Sequence, residues 1–377
     1  MLSGSLAQQI ARDTSDVIGY NVLITDDAGI VIGSGDTGRV GSFHEASVDV
    51  LRSQQAAWHT AAEAQELRGV KPGMTLPIVI DGEAIGTVGI TGSPRQVRRF
   101  GLVVRRQTEI LLQESLELRS RLLRERALEE LVRDIGSFDP DVLDPEFLVG
   151  RAAELGFDLT LPRTVLIVEV DEPVPAGHVT TLRPELLRTL RDALGPRALV
   201  TTMTSGRFAV LPLVSTRPPV KLAALAVAAV ARRHELSCRV AAGGTASGVT
   251  ALHDAYADAV DALRLGRRVA PGSTTYSIEE LRGHQVMAAV GQRTRARLIA
   301  LVAGSLVAQA DWPDLRRTLV AWCESGFNLV QTAQVLHIHR NTLIYRLEKI
   351  ERLTGTPWRD HRASLTLYLA CLADQLG

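Results

Sequence analysis

Two stretches of this chain hold side chains whose types and spacing could do chemistry. One runs from Asn328 to Gly355, where Leu343, Leu347 and Ile350 recur at helical spacing and mark an inward face. That leaves Arg340, Asn341, Tyr345, Arg346 and Lys349 for the outside. Arginine pairs bidentately with guanine and asparagine with adenine, so Arg340 and Asn341, followed by Thr342, stand where base edges are read. Lys349 and Arg352, a turn or more downstream, suit phosphates, which position a protein without specifying sequence. His339 either caps the helix or touches DNA. The other stretch runs from Gly33 to Glu45. Its glycines 33, 35, 38 and 41 could free backbone N–H groups for a small anion, Arg39 offers a fork for a carboxylate, His44 a second donor and Glu45 an acceptor for a hydroxyl. A glycine-rich surface loop with solvated charges is the alternative.

The first stretch needs three short helices to hold it. Asn328 fits an N-cap with Gln331 three residues on, the helix from Leu329 to Leu336 is small and apolar on one side through Thr332, Ala333 and Leu336, and His337-Ile338 forms the break. The spacing predicts a helix-turn-helix whose second helix enters a major groove. A plain three-helix bundle would show the same pattern. The second stretch follows a hairpin, Asn21 to Thr25 and Ile30 to Gly33, and precedes a helix over about 45–55. A second hairpin covers Thr75 to Ile80 and Ala84 to Ile90. Between Pro94 and Pro140 no proline interrupts a charged helical segment in which Val104, Leu111, Leu118 and Leu122 step by seven, seven and four, widened by Leu112, Leu116 and Leu123. That stripe either packs on its own domain or pairs with a twin in a dimer. Strands at Thr164 to Val170, Ala198 to Met203, Phe208 to Leu213 and Arg239 to Gly243, with helices over about 220–234 and 252–265, make a further α/β unit.

Bulk properties restrict the partners. Formal charge is zero, from 42 basic and 42 acidic residues, which argues against indiscriminate binding to nucleic acid or membrane. A local basic face remains: from His337 to Arg362 there are six Arg or Lys against three acids. Cys238, Cys323 and Cys371 are far apart and odd in number, so a disulfide framework or a zinc site is not expected and a reducing cytoplasm is. No secretory leader and no long apolar run suggests a membrane partner. Catalytic patterns are weak. There is no Gly-x-Ser-x-Gly and no His-Glu-x-x-His; Asp26-Asp27 reads as a turn, and Gly86 to Gly92 lacks a P-loop lysine. Glu169, Asp171 and Glu172 could hold Mg²⁺ in a nucleotide-cyclase setting, or simply end a strand in solvent. No cofactor is expected.

Three longer passages carry a family resemblance. IGYNVLITDDAGIVIGSGDTGRVGSFHEAS with PGMTLPIVIDGEAIGTVGITGSPRQV resembles the sugar-diacid recognition domain of the carbohydrate diacid regulator family. NLVQTAQVLHIHRNTLIYRLEKIERLTG resembles that family's helix-turn-helix, shared with purine-catabolism-type regulators, and TVLIVEVDE with RVAAGGTASGVTALHDAYADAVDALRLGRRV is similar to its GGDEF-like domain. The GGDEF signature itself is absent; Ser205-Gly206-Arg207 stands in its place. The resemblance implies an α+β multidomain chain: a PAS-like or Cache-like sensor over 1–94, a connector and dimerisation helix over 95–136, a degenerate GGDEF-like domain over 137–285 and an all-α DNA-binding domain over 286–377. It implies a cytoplasmic transcriptional regulator, often an activator, working as a homodimer or higher homo-oligomer on a double-stranded DNA operator and controlled by a small carboxylate such as glycerate, glucarate or galactarate. The alternative is a nucleotide-cyclase-like or sugar-acid enzyme with a helical tail. The implied effector site is Ser34, Arg39, His44 and Glu45 with the backbone near Gly73 to Leu76 (Met74, Thr75, Leu76) and Ile90 to Gly92 (Ile90, Thr91, Gly92). Where the family typically has Asn in its PGINLP motif this chain has Thr75, a smaller polar group.

Overall fold

Alternating residues in the N-terminal strands divide a sheet into two differently treated faces. The computed structural model describes residues 3–171, 178–204 and 206–377, so Glu172 and Ser205 lie outside the described residues. The chain falls into two compact units, Met1–Arg124 and Glu125–Gly377, and is of mixed α+β class. In the first unit α1 (Gly4–Ile18) is followed by the hairpin β1 (Val22–Thr25) and β2 (Val31–Ser34), a 3₁₀ turn (Thr37–Arg39), α2 (Glu45–Ser53), β3 (Ala57–His59), α3 (Ala61–Gln65), and the hairpin β4 (Gly73–Ile80) and β5 (Glu83–Thr91). The strands form one sheet in the order β2-β1-β5-β4-β3, with every pairing antiparallel. Because side chains alternate across a strand, Val22, Ile24, Met74, Leu76, Ile78, Val88 and Ile90 share one face and make an apolar core with Ala7, Ile10 and Ala11 of α1. The opposite face carries Thr25, Thr75, Thr87 and Thr91 and meets α2 and the 3₁₀ turn.

The long helix α4 (Pro94–Gly136) is continuous over 43 residues. Val97, Val104 and Leu112 complete the first unit's core. Further along, Leu116, Leu118, Leu122 and Leu123 are 45–58% exposed. The two readings of the leucine stripe thus separate by position: its first half packs on its own domain, while its second half leaves an open apolar face.

In the second unit α5 (Pro145–Glu154) leads into β6 (Arg163–Val170), α6 (His178–Leu194), the hairpin β7 (Leu199–Thr204) and β8 (Arg207–Leu211), α7 (Pro219–His234), β9 (Cys238–Ala246), α8 (Val249–Val269) and β10 (Thr275–Ser277). The sheet order is β10-β9-β6-β8-β7, parallel only at β9–β10. Leu166, Val168 and Val170 of β6 face α6 and α7, whereas Val165 and Ile167 face α8. Gly243 lets α8 lie directly on the sheet, for a Cβ there would come within 1.8 Å of the Ala255 carbonyl oxygen.

The remaining helices are α9 (Ile278–Ala289), α10 (Gln292–Val302), α11 (Gly304–Val307), α12 (Trp312–Glu324), α13 (Leu329–Leu336), α14 (Arg340–Thr354) and α15 (His361–Leu376). Leu372, Ala373 and Leu376 of α15 are buried with Leu252, Ala255, Leu265 and Leu281, which ties the C-terminal bundle to the α8 side of the sheet. Among the described residues, no helix is long and apolar enough to cross a membrane.

Candidate functional site

The C-terminal candidate is built by caps and a buried triad. The Asn328 side chain accepts from the backbone N–H groups of Val330 (3.0 Å) and Gln331 (3.1 Å), which satisfies two orphan donors at the start of α13. His337 takes a left-handed conformation (φ 54°) and ends α13; His339 then caps α14, its Nδ1 accepting from the Asn341 N–H at 3.2 Å. Leu343 and Leu347 are fully buried and Ile350 nearly so, packed with Leu315, Leu319 and Trp322. Truncating one such leucine costs about 2–5 kcal/mol, so the roll of α14 about its own axis is firmly set. Arg340, Asn341, Thr342 and Tyr345 are exposed at its N-terminal end. Arg340 also borders a shallow hollow of about 620 Å³ with Gln334 and His337.

Two residues expected outside are drawn inward. Lys349 Nζ donates to both oxygens of Asp311 at 2.8 Å, and hydrogen bonding from this ammonium holds the Asp311 carboxyl below its usual range. Arg346 donates to Thr318 Oγ1 (3.4 Å) and pairs with Asp314 (3.5 Å). Both lie where helical spacing brings the flank of α14 against α12, so they brace the helix pair instead of standing free. Partly exposed pairs of this kind contribute roughly 0.2–1 kcal/mol each.

The N-terminal candidate lies on the polar face of the first sheet. Arg39 is 8% exposed; Nη2 donates to the Gly69 carbonyl at 2.6 Å and Nη1 reaches Thr91 Oγ1 at 3.5 Å. Burial lowers its pKa, and nearby Asp36 raises it in part. Asp36 is itself paired with Lys71 at 3.3 Å, and among the described residues no carboxylate lies in ion-pair contact with Arg39. A guanidinium has five donors in a fixed plane; here one strong neutral acceptor and one distant hydroxyl serve it. Gly69 has φ 71°, and a Cβ there would meet the Phe43 carbonyl oxygen at 2.0 Å. Glu45 grips the same segment: its Oε2 accepts from the Arg68 N–H at 2.6 Å and its own N–H donates to the Arg68 carbonyl at 3.1 Å.

His44 begins a buried chain of hydroxyls. Its Nδ1 is 2.8 Å from Ser47 Oγ, which is 2.7 Å from Thr87 Oγ1, which is 2.9 Å from Thr25 Oγ1. Burial, then the positive charge of Arg39 and then His59, push the imidazole pKa down to about 4, so the ring is neutral near pH 7. Ser34 is fully buried, with Oγ donating to Asn21 Oδ1 at 3.3 Å. Asn21 Oδ1 also accepts from the Asp36 N–H at 2.6 Å, yet its buried Nδ2 has no partner among the described residues. The Asn21 carbonyl accepts from Thr91 N–H at 2.9 Å, which places that orphan donor in the same neighbourhood as Arg39.

Several expected roles change. Met74, Leu76 and Ile90 point into the apolar core on the opposite face. Ile90 and Met74 are paired on both sides, Ile90 with Val22 and Met74, and Met74 also with Trp58, whereas Leu76 pairs with Val88 alone. Thr75 and Thr91 are on the polar face, and the Gly92 N–H donates to the Pro72 carbonyl at 2.8 Å. Among the loop glycines, Gly35 and Gly41 do not free amides for an anion, and Gly33 serves close packing. Gly33 lies so close to α1 that a Cβ would be 2.3 Å from the Ala7 carbonyl carbon, and the N–H groups of Gly35 and Gly41 donate to Val22 and Val31. Reasoning from sequence missed Asn21, Ser47, Thr87 and Gly69. The threonines at alternate strand positions were the available signal. As for the acids, Glu169 pairs with Arg207 and Arg267, and Asp171 with Arg239; among the described residues no cluster suits a metal ion.

Comparison with known proteins places these features. A family model described as "Putative sugar diacid recognition" matches residues 2–135, a GGDEF-like domain matches 139–265, and a PucR C-terminal helix-turn-helix domain matches 315–373. A carbohydrate diacid regulator of Escherichia coli K12 is 29% identical over 99% of this chain and 98% of its own length. The uncharacterized protein YsfB of Bacillus subtilis 168 is 26% identical over 97% and 96%. A purine catabolism regulatory protein of the same Bacillus is 38% identical over 18% of this chain and 13% of its own length. The chain is thus a helix-turn-helix transcriptional regulator. It carries, in order, the domain set of the carbohydrate diacid regulator family.

The low pKa of His44 has a consequence for stability. An imidazole that titrates near 6.5 when unfolded and near 4 in the fold takes up a proton on unfolding between those values. Its contribution is therefore intact above about pH 6.5 and lost as pH falls toward 4. Melting curves from pH 7.5 to 4.5 should show a shallower acid decline for His44→Gln than for the parent chain; equal slopes would contradict the buried neutral ring.

Proposed function

We propose that this regulator is switched by a small hydroxy acid or sugar diacid, of the glycerate, glucarate or galactarate kind, bound beside Arg39. The observation that carries this reading is a nine-tenths buried guanidinium whose closest acceptor is a backbone carbonyl. A planar carboxylate is the better partner for that fork, because it offers two parallel hydrogen bonds and an opposite charge where the Gly69 carbonyl offers one neutral acceptor. An incoming carboxylate takes Arg39 from the Gly69 carbonyl, the orphan Asn21 Nδ2 supplies a further donor, and Thr91 and Ser34 suit the acid's hydroxyls. The antiparallel order β2-β1-β5-β4-β3 supports a PAS-like sensor. Because the acid favours whichever state frees the Arg39 fork, it shifts the equilibrium by its difference in affinity for the two states.

The same reading has Arg340 and Asn341 meet base edges, with Thr342 and Tyr345 alongside and His339 acting as their cap. Lys349 and Arg346 keep α14 seated on α12. Two copies pair through Leu118 and Leu122 of α4, so that two reading heads meet one operator. The regulator acts as an activator in the cytoplasm.

Three measurements test this. In thermal-shift titrations with glycerate, glucarate and galactarate, at least one acid should stabilise the parent chain, and Arg39→Ala should abolish that shift; a retained shift puts the pocket elsewhere. In gel-shift assays on its own promoter region, Arg340→Ala should weaken binding by roughly 5- to 150-fold, as expected for about 1–3 kcal/mol, and relax base preference, with melting unchanged. An unchanged footprint would refute the contact. Sedimentation of Leu118→Glu/Leu122→Glu should give a folded monomer where the parent gives a dimer; a dimeric variant would refute pairing through α4.

A further inference from the structure

The GGDEF-like domain contains a cavity of about 480 Å³ between the β7–β8 hairpin and α8. Its floor is apolar, formed by Ile167, Met203, Val260 and Leu263. Its rim carries four guanidinium groups, those of Arg207, Arg264, Arg267 and Arg268. Two are fixed by one carboxylate: Arg207 Nε donates to Glu169 Oε1 and Arg267 Nη1 to Oε2, each at 2.7 Å. Arg264 pairs with Asp261 at 2.6 Å, and Arg268 donates to the Leu376 carbonyl at 3.2 Å. Among the described residues four positive charges thus face two carboxylates, an excess of two beside an apolar lining.

From this arrangement we infer a second small-molecule site, for a phosphate monoester of a compact apolar group. Such a phosphate carries about −1.5 to −2 near neutral pH, with three acceptor oxygens on one centre. That matches both the surplus charge and the several guanidiniums lining one cavity, which a single carboxylate matches less well. Glu169 holds two of the guanidiniums in place before the ligand arrives, so little side-chain ordering is left for binding. The organic part covers Val260, otherwise 37% exposed. The volume falls within the range of small-ligand pockets, about 300–1,000 Å³. This site is independent of Arg39. It shares a wall with the anchor of the DNA-binding bundle, because Arg268 holds the last turn of α15 while Leu372 and Leu376 are buried beside α8.

Isothermal titration of the full chain with phenyl phosphate tests the site. Expected is saturable binding of one ligand per chain, weakened at least tenfold in Arg264→Glu and in Val260→Asp and unchanged in Arg39→Ala. Arg264→Glu removes only an exposed pair, and Val260→Asp covers the case in which it fails to fold. Inorganic phosphate, lacking the apolar part, and benzoate, lacking the phosphate, should each bind at least tenfold more weakly. Absence of saturable binding, equal binding by both variants, or equal binding of benzoate would overturn the proposal. So would equal binding of inorganic phosphate, the signature of an adventitious anion only.

Discussion

The contact on which the N-terminal unit turns is the bond from the Arg39 guanidinium to the Gly69 carbonyl. It joins the short turn after β2 to the segment before β4, and Glu45 fastens that segment from the start of α2. Burying a cation is costly unless it is well paired, and a single carbonyl with a distant threonine hydroxyl is sparse compensation. His44 must stay neutral beside it, because a second positive charge in this space would add repulsion to desolvation. The hydroxyl chain through Ser47, Thr87 and Thr25 serves that need by accepting or donating without carrying charge. A layer so arranged is uneven: its apolar face is filled, whereas its polar face holds a buried guanidinium with few acceptors.

The C-terminal bundle solves a different problem. A recognition helix must present its first turn while the rest stays fixed. Caps at Asn328 and His339, the left-handed His337 and the buried Leu343, Leu347 and Ile350 fix where α14 begins and how it is rolled. Lys349 and Arg346 brace its flank against α12. At the other end of the bundle, Asp374 Oδ2 accepts from Trp312 Nε1 at 2.9 Å and from Arg316 at 2.6 Å, so α15 is held to α12 as well as to the GGDEF-like sheet. α15 consequently serves two cores, with Leu367, Ala370 and Cys371 in that of the bundle and Leu372, Ala373 and Leu376 in that of the middle domain.

Much of this was legible in the sequence, for reasons that also mark where legibility ended. Periodicities of two and 3.6 are local, so the hairpins at β1–β2 and β4–β5, the uninterrupted α4 and the three helices α12, α13 and α14 could be read to within a few residues. What depended on pairing across the chain could not. Thr25 and Thr87 are 62 residues apart, and nothing near either announces a shared hydrogen bond. The family resemblance drew attention to the backbone at Met74, Leu76 and Ile90; that the strand register turns their side chains into the apolar core could not be read locally. Gly33 looks like an anion loop until α1 is laid across it. Lys349 and Arg346 read as surface charges because their acid partners, Asp311 and Asp314, lie on another helix.

The most direct measurement of the central claim is amide hydrogen exchange across residues 66–72 with saturating glycerate, glucarate or galactarate. If a carboxylate takes Arg39 from the Gly69 carbonyl, the segment loses a tether and its exchange should quicken several-fold while β4 and β5 stay protected. An acid that binds saturably and leaves exchange at Arg68, Gly69 and Val70 unchanged would contradict the account.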